Sequence, residues 1–192
     1  ITFSIETNMM YSPGDILMVY PKNDRRLVSD MISQFSHIDK IQTVDIKCSS
    51  GHQSSVRCVN FEWLCHWYFD LNGVPRRQFF RLLNFYSCND FEREKLLDFS
   101  LPENIEDFYS YCSRPKRNYC ETLRDFPNSI NNLGLKELVE LIPRIKTREY
   151  SICSSYRKDS TKLSLIVAFV KYQTVIRQPR HGVCSNYLCH LN

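Results

Sequence analysis

The 192 residues are 43% hydrophobic and 24% charged, an ordinary globular balance that excludes disordered, collagen-like and low-complexity chains. The 25 basic and 21 acidic side chains leave a net charge of +4, too small to mark a polyanion binder by charge alone. The five glycines (14, 51, 73, 134 and 182) provide no pair spaced for GxGxxG or GxxxxGK[ST], so any phosphate bound here is held without a Rossmann loop or a P-loop.

Residues 1–8 alternate apolar and polar, the YSPGD segment suits a type II turn with Pro13-Gly14 at its centre, and ILMVYP reads as a buried strand. A β-hairpin is therefore expected to open the chain. Leu27, Val28, Met31, Ile32 and Phe35 follow helical spacing, and 41–46 alternates as a short strand. From Phe61 four helix-period segments follow, at 61–71, 75–86, 91–99 and 105–112, with Pro75 at a helix start and Asn89 or Asp90 as a cap. Helices over 118–126 and 135–141 come next, the second stopped by Pro143. REYSICSS (148–155) and LSLIVAFVKYQTVI (163–176) read as strands, and a PRHG turn leads into a last helix. This β–helical block–β order is what a helical insertion into an antiparallel barrel produces.

The longest apolar run, 163–170, is strand-length and far short of the ~20 residues of a membrane span. The nine cysteines are an odd, scattered set without CxxC, which argues against a disulfide framework or a zinc site and for a reducing, cytosolic setting. The chain opens in a strand without an initiating Met and closes in a helix, as a piece of a longer polypeptide would.

Three segments carry candidate chemistry. Arg148, Tyr150 and Ser151 put a guanidinium, an aromatic face and a hydroxyl on one short strand: a phosphate fork, a stacking platform and a ring-nitrogen partner, or simply a solvated strand edge with one core tyrosine. His181 to Asn186 is a turn into a helix, whose first N–H groups bind an anion or serve an ordinary cap. Arg114, Lys116 and Arg117 are a second phosphate ligand or a solvated face. Trp63, Trp67, Tyr68 and Phe69 lie at helical spacing and read as core rather than as a nucleic-acid platform. The histidines form no i, i+4 ligand pair, and Asp70, Glu92 and Glu94 show no acid–base pairing.

In order along the chain, YSPGDILMVYP, VPRRQFFRLL, EREKLLDFS, the Tyr111 to Pro115 run, DFP (125–127), LIPRIKTREYSICSS, LIVAFVKY and PRHGVCSNYL resemble the diflavin reductases. That group includes cytochrome P450 reductase and the reductase half of nitric oxide synthase. RPKR (114–117), ELIPRIKTREYSICSS and RHGVCS are most similar to its cytosolic branch, which supplies electrons for iron–sulfur assembly.

The resemblance covers nearly the whole chain. It implies a mixed α+β fold: a six-stranded antiparallel flavin-binding barrel of the ferredoxin-reductase type, interrupted by an α-helical connecting subdomain at about 60–112, with 1–192 as one FAD-binding domain. It implies cofactor contacts from Arg148, Glu149, Tyr150 and Ser151. Arg148 would meet the FAD pyrophosphate, Tyr150 would stack on the isoalloxazine, and Ser151 would lie near N5 and assist hydride arrival as the catalytic residue. Gly182, Val183, Cys184 and Ser185 would cradle the pyrophosphate through backbone N–H groups, and Tyr172 is a further contact. Lys116 stands where the family commonly has arginine, keeping the charge but losing the fork, with Arg117 as its substitute. FMN and NADPH would be bound by flanking domains outside this chain, and the acceptor would be an iron–sulfur assembly protein of the anamorsin type, with neither nucleic acid nor membrane as partner.

The competing reading is a cofactor-free module that docks an acidic partner through Arg76, Arg77, Lys116 and Arg117. Single-stranded nucleic-acid binding on an OB-like barrel is a third, weakened by the small net charge.

Overall fold

The computed structural model describes residues 1–6, 9–50, 53–176 and 179–191. It comprises two compact units: Asn23–Ile145 with Thr174–Arg177, and Ile1–Lys22 with Lys146–Gln173 and Gln178–Asn192. No helix among the described residues is long and apolar enough to cross a membrane.

The first unit is mostly helical. Its strands and helices are α1 (Arg25–Gln34), β3 (Thr43–Ser50), β4 (Gln53–Asn60), α2 (Phe61–Trp63), α3 (Arg77–Tyr86), α4 (Asp90–Ser100), α5 (Ile105–Phe108), α6 (Tyr119–Asp125), α7 (Pro127–Ile130) and α8 (Leu135–Leu141); β1 (Thr2–Ser4) and β2 (Ile16–Val19) belong to the other unit. The helical segments legible in the sequence form, two of them shorter than expected: 61–71 is helical only to Tyr68, and 75–86 begins at Arg77, with Pro75 before the cap Arg76 rather than at the helix start. Asp24 caps α1 by accepting the Arg26 N–H (2.9 Å), and Val28, Met31 and Phe35 turn their apolar stripe into the core. Asn89 caps α4 by accepting from the Glu92 N–H (3.0 Å). A reciprocal capping box opens α6, the Glu121 N–H donating to Asn118 Oδ1 (2.9 Å) and the Asn118 N–H to Glu121 Oε2 (3.0 Å).

β3 and β4 form a hairpin in continuous register from Thr43↔Asn60 to Ser50↔Gln53. Sequence reasoning finds only part of β3 here, because β4 opens on Gln-Ser-Ser with no apolar alternation to reveal it. Beyond α2 the chain continues as a π-turn, Leu64–Tyr68, closed by the Phe69 N–H on the Leu64 carbonyl (2.9 Å). Nδ2 of buried Asn23 donates to the Cys65 and Phe69 carbonyls at its edge (2.8 and 2.7 Å). A second π-turn, Tyr109–Ser113, extends α5.

Phe80 is fully buried at the centre of an edge-to-face aromatic cluster with Phe79, Phe99, Phe108 and Tyr111. Phe69 is buried too, and Trp63 and Tyr68 pack against the same core, as their helical spacing implies.

Glu92 ties α4 to α7. Its carboxylate accepts from the Asn128 N–H (3.0 Å) and Nδ2 (2.8 Å) and from the Ser129 N–H (2.8 Å) and hydroxyl (2.6 Å). Burial pushes its pKa up, but the four hydrogen bonds outweigh that and hold it below the usual carboxylate range. A depressed folded pKa stabilises above the unfolded value of about 4.3 and ceases to do so as pH falls through the folded pKa. Glu92→Gln is therefore expected to cost roughly 1–2 kcal/mol at pH 7 and progressively less as pH falls below about 4.3 and through the lower folded-state pKa. Denaturant midpoints of both proteins across that range check this; parallel curves would show that Glu92 does not titrate against α7.

The second unit holds β1 (Thr2–Ser4), β2 (Ile16–Val19), β5 (Arg148–Ser151), β6 (Lys162–Ser164), β7 (Lys171–Gln173), β8 (Pro179–His181) and α9 (Val183–Cys189). Its strands pair antiparallel as β1 with β6, β2 with β5 and β7 with β8, and an Ile152↔Leu165 bridge joins the first two pairs. Ile152, Leu163 and Leu165 form its small core, covered by Phe3, Ile5, Tyr11, Leu17, Val19, Tyr150 and Val167.

Three expectations change here. The Pro13-Gly14 turn forms, Gly14 at φ 96° and the Asp15 N–H on the Ser12 carbonyl (3.1 Å), but β1 and β2 do not pair with each other; each takes a partner from the far end of the sequence. The long strand over 163–176 is two short ones, with exposed Ile166, Phe169 and Val170 in a stretch between them that joins no ladder. The PRHG turn is a short strand, Pro179 occupying its first position, where its missing N–H is tolerated. The architecture is mixed α+β, and among the described residues the strands make short antiparallel pairs and no closed six-stranded barrel.

Candidate functional site

The second unit brings most of the candidate residues together. β5 lies against β2 with Val19↔Arg148, Met18↔Glu149, Leu17↔Tyr150 and Ile16↔Ser151 as partners. Strand alternation puts Arg148 and Tyr150 on the face of Leu17 and Val19, toward the small core, and Glu149 and Ser151 on the opposite face beside exposed Met18 and Ile16. Arg148 is exposed, and its Nη1 donates to the Lys146 (2.9 Å) and Thr147 (3.2 Å) carbonyls.

α9 begins at Gly182. The Gly182 N–H donates to the Val170 carbonyl (2.9 Å), the Val170 N–H to Ser185 Oγ (3.2 Å), and Ser185 Oγ to the Gly182 carbonyl (3.2 Å). A Cβ on residue 182 would lie 2.8 Å from Val170 Cβ and 2.9 Å from Ser185 Oγ, so only glycine fits. No side chain caps α9 and its first turn carries no acid, which leaves its leading N–H groups and their partial positive charge for an anion.

Burial, and then the hydrogen bond to Cys184, push the Tyr150 phenol up to about 12. Burial also raises the Cys184 thiol, opposed by the hydrogen bond from Tyr150 and the charge of Arg148. Both groups are therefore neutral at physiological pH. Sequence reasoning places Arg148 and Tyr150 in one motif and Gly182 to Ser185 in another, and gives Val170 no role. Tyr172 is exposed on β7, opposite Arg180.

Lys116 belongs to the helical unit. Its φ of 54° is left-handed, the only such non-glycine residue described, in a turn closed by its N–H on Ser113 (3.3 Å) and the Arg117 N–H on Cys112 (3.1 Å). Its side chain is exposed. Arg117 is committed elsewhere: Nε to the Tyr111 carbonyl (2.9 Å), Nη1 to Asp125 (2.9 Å), and its plane 4.6 Å from the Tyr111 ring centroid. The Tyr111 hydroxyl donates to the same Asp125 oxygen (2.8 Å). Arg77 lies over the Phe108 ring (5.6 Å). Two of the four cations of the acidic-partner reading are thus engaged within the fold.

Residues 1–187 match the FAD binding domain family. The chain belongs to that family. This FAD-binding domain is 36% identical over its whole length to NADPH-dependent diflavin oxidoreductase 1 of Mus musculus. Over 95% of its length it is 35% identical to the protein of that name from Xenopus laevis, and over its whole length 31% identical to that of Schizosaccharomyces pombe. It spans about a third of each of these relatives (33%, 31% and 33%). The donor set suits the group its family name specifies: a guanidinium beside a half-buried aromatic ring, and an uncapped, acid-free helix start built around a glycine that no other residue can replace.

Proposed function

We propose that this chain is the FAD-holding part of an NADPH-dependent diflavin oxidoreductase, in which electrons pass from NADPH through FAD and FMN to a cytoplasmic iron–sulfur assembly protein of the anamorsin type. The observation that carries this reading is the convergence of Arg148, Tyr150 and the α9 start in one compact unit of a chain matched to the FAD-binding family almost end to end. FMN and NADPH would be held by other domains of the full-length protein, as the relatives' names suggest. The second unit would be the flavin barrel, and the helical unit, including 60–112, its connecting subdomain. The eight described free thiols accord with a cytoplasmic setting.

Bound FAD supplies the conversion of a two-electron hydride into single electrons. The protein's own contributions are binding and orientation. Arg148 neutralises pyrophosphate charge with a two-pronged grip, and the N–H groups of Val183, Cys184 and Ser185 add uncharged donors to it. Tyr150 offers its ring face. Glu149 and Ser151 project from the other side of β5, where the Ser151 hydroxyl is available to a ring nitrogen. Lys116 adds a point charge for phosphate.

The test is an absorbance titration of the purified chain with FAD. Flavin bands near ~450 nm that stay with the protein through desalting support the proposal; a colourless protein from both this chain and the full-length polypeptide overturns it. Lys116 gives a sharper version. Glycine favours its left-handed turn by a few tenths to ~1 kcal/mol, so Lys116→Gly is expected to keep or raise the melting temperature while weakening FAD about fivefold. Unchanged affinity would assign Lys116 to the turn alone.

A further inference from the structure

The last two cations of the 114–117 cluster have opposite fates. Lys116 is exposed and left-handed (φ 54°), whereas Arg117 is half-buried and engaged on three sides. A lysine in that conformation persists only where its surroundings over-determine it, because the Cβ crowds the backbone there. Its own turn bonds are modest, the Lys116 N–H reaching the Ser113 carbonyl at 3.3 Å and the Arg117 N–H the Cys112 carbonyl at 3.1 Å. Stronger ties lie one residue on. Asp125 Oδ2 accepts from Arg117 Nη1 (2.9 Å) and from the Tyr111 hydroxyl (2.8 Å). Arg117 Nε donates to the Tyr111 carbonyl (2.9 Å), and the guanidinium covers the Tyr111 ring at 4.6 Å. That ring is itself stacked on Phe99, centroids 4.5 Å apart and planes at 15°, so Arg117 is fastened to a group that the helical core holds in place. Asp125 is the last residue of α6, where a carboxylate opposes the helix dipole. Its charge gains the helix nothing there; what it holds is the turn.

We propose that Asp125, Arg117 and Tyr111 are positioning residues that lock the left-handed turn and so fix the place from which Lys116 offers its charge to the FAD phosphate. This rests on the FAD reading above. Arg117 is then no reserve phosphate ligand standing in for Lys116; it is committed to the geometry that presents the lysine. Lysine lacks the planar fork with which arginine aligns its own contact, so a fixed backbone supplies the alignment instead.

The experiment measures FAD affinity in the full-length polypeptide carrying Asp125→Ala, Arg117→Gln, Lys116→Gln or the Asp125→Ala/Lys116→Gln pair. Alanine at 125 removes the shared acceptor and suits a helix end. Asp125→Ala and Arg117→Gln are each expected to weaken FAD about three- to fivefold, Lys116→Gln about fivefold, and the pair no more than Lys116→Gln alone. A loss in the pair equal to the product of the two single losses, or no loss in either lock variant, overturns the proposal. A flavin-free readout is cleavage of the Lys116–Arg117 bond by a lysine-specific protease, resolved by peptide. Asp125→Ala leaves the cleaved sequence untouched and is expected to be cut about three- to tenfold faster than the parent, because a released turn opens more often. Unchanged cleavage shows that the turn needs no lock, and the proposal fails whatever the flavin does. If the parent polypeptide takes no FAD, the flavin reading fails and the role of Lys116 with it, which the cleavage rates tell apart from failure of the lock.

Discussion

Replacing Arg148 by alanine is expected to weaken FAD binding about 100-fold while leaving the melting temperature of the flavin-free chain within ~2 °C. The asymmetry follows from where the side chain sits. Arg148 is exposed, and among the described residues its side chain hydrogen-bonds two carbonyls immediately before it in sequence, Lys146 and Thr147. Removing it breaks no hydrogen bond to a residue distant in sequence among the described residues. Against a pyrophosphate the same group makes charge-assisted bonds worth ~1.5–3 kcal/mol each, and two of them account for the loss. Arg148→Lys keeps the charge without the fork and should fall between, about tenfold weaker than the parent. Isothermal titration with FAD and thermal unfolding of the flavin-free proteins decide it. Equal affinity in all three would remove Arg148 from the cofactor site.

The second large effect is structural. Phe80 is fully buried, with ring centroids of Phe79, Phe99, Phe108 and Tyr111 at 5.3, 5.4, 5.7 and 6.2 Å. Phe80→Ala removes the hub and leaves a cavity walled by rings that cannot collapse into it. The cost is expected to be about 3–5 kcal/mol, a large part of the ~5–15 kcal/mol that holds a typical domain. Helical circular dichroism should be lost ~10–20 °C below the parent transition. Phe80→Leu retains most of the volume and should lose less than half as much. A shift under ~3 °C for the alanine variant would show the cluster to be loosely packed. Because the chain has two compact units, the helical signal is the proper probe, not a single global transition.

The local elements were largely legible. Leu27, Val28, Met31, Ile32 and Phe35 mark α1 because 3.6-residue periodicity is written in one continuous segment, and Asn89 and Asn118 mark their helix starts because a cap acts within three residues. Pro13-Gly14 marks its turn because φ above zero selects glycine. β4 is hidden in the sequence because polar residues blur its alternation, and 163–176 reads as one strand because an apolar run does not say whether a partner strand lies beside it.

The site divides the same way. The residue types of REYS and GVCS, and their likeness to flavin reductases, are properties of the sequence; 35–36% identity to the frog and mouse relatives agrees with that likeness. Pairing is not. Which strand β1 and β2 choose, and the tie between Val170 and the α9 start, depend on contacts between separate segments, and Arg117 being spent on Asp125 and Tyr111 while Lys116 stays exposed depends on how its turn packs. Short-range preferences are fixed by sterics and hydrogen bonds within a turn or two, so the sequence alone determines them. Long-range partners are chosen by which burial and hydrogen-bond satisfaction can be achieved together in three dimensions, and only the tertiary structure decides that.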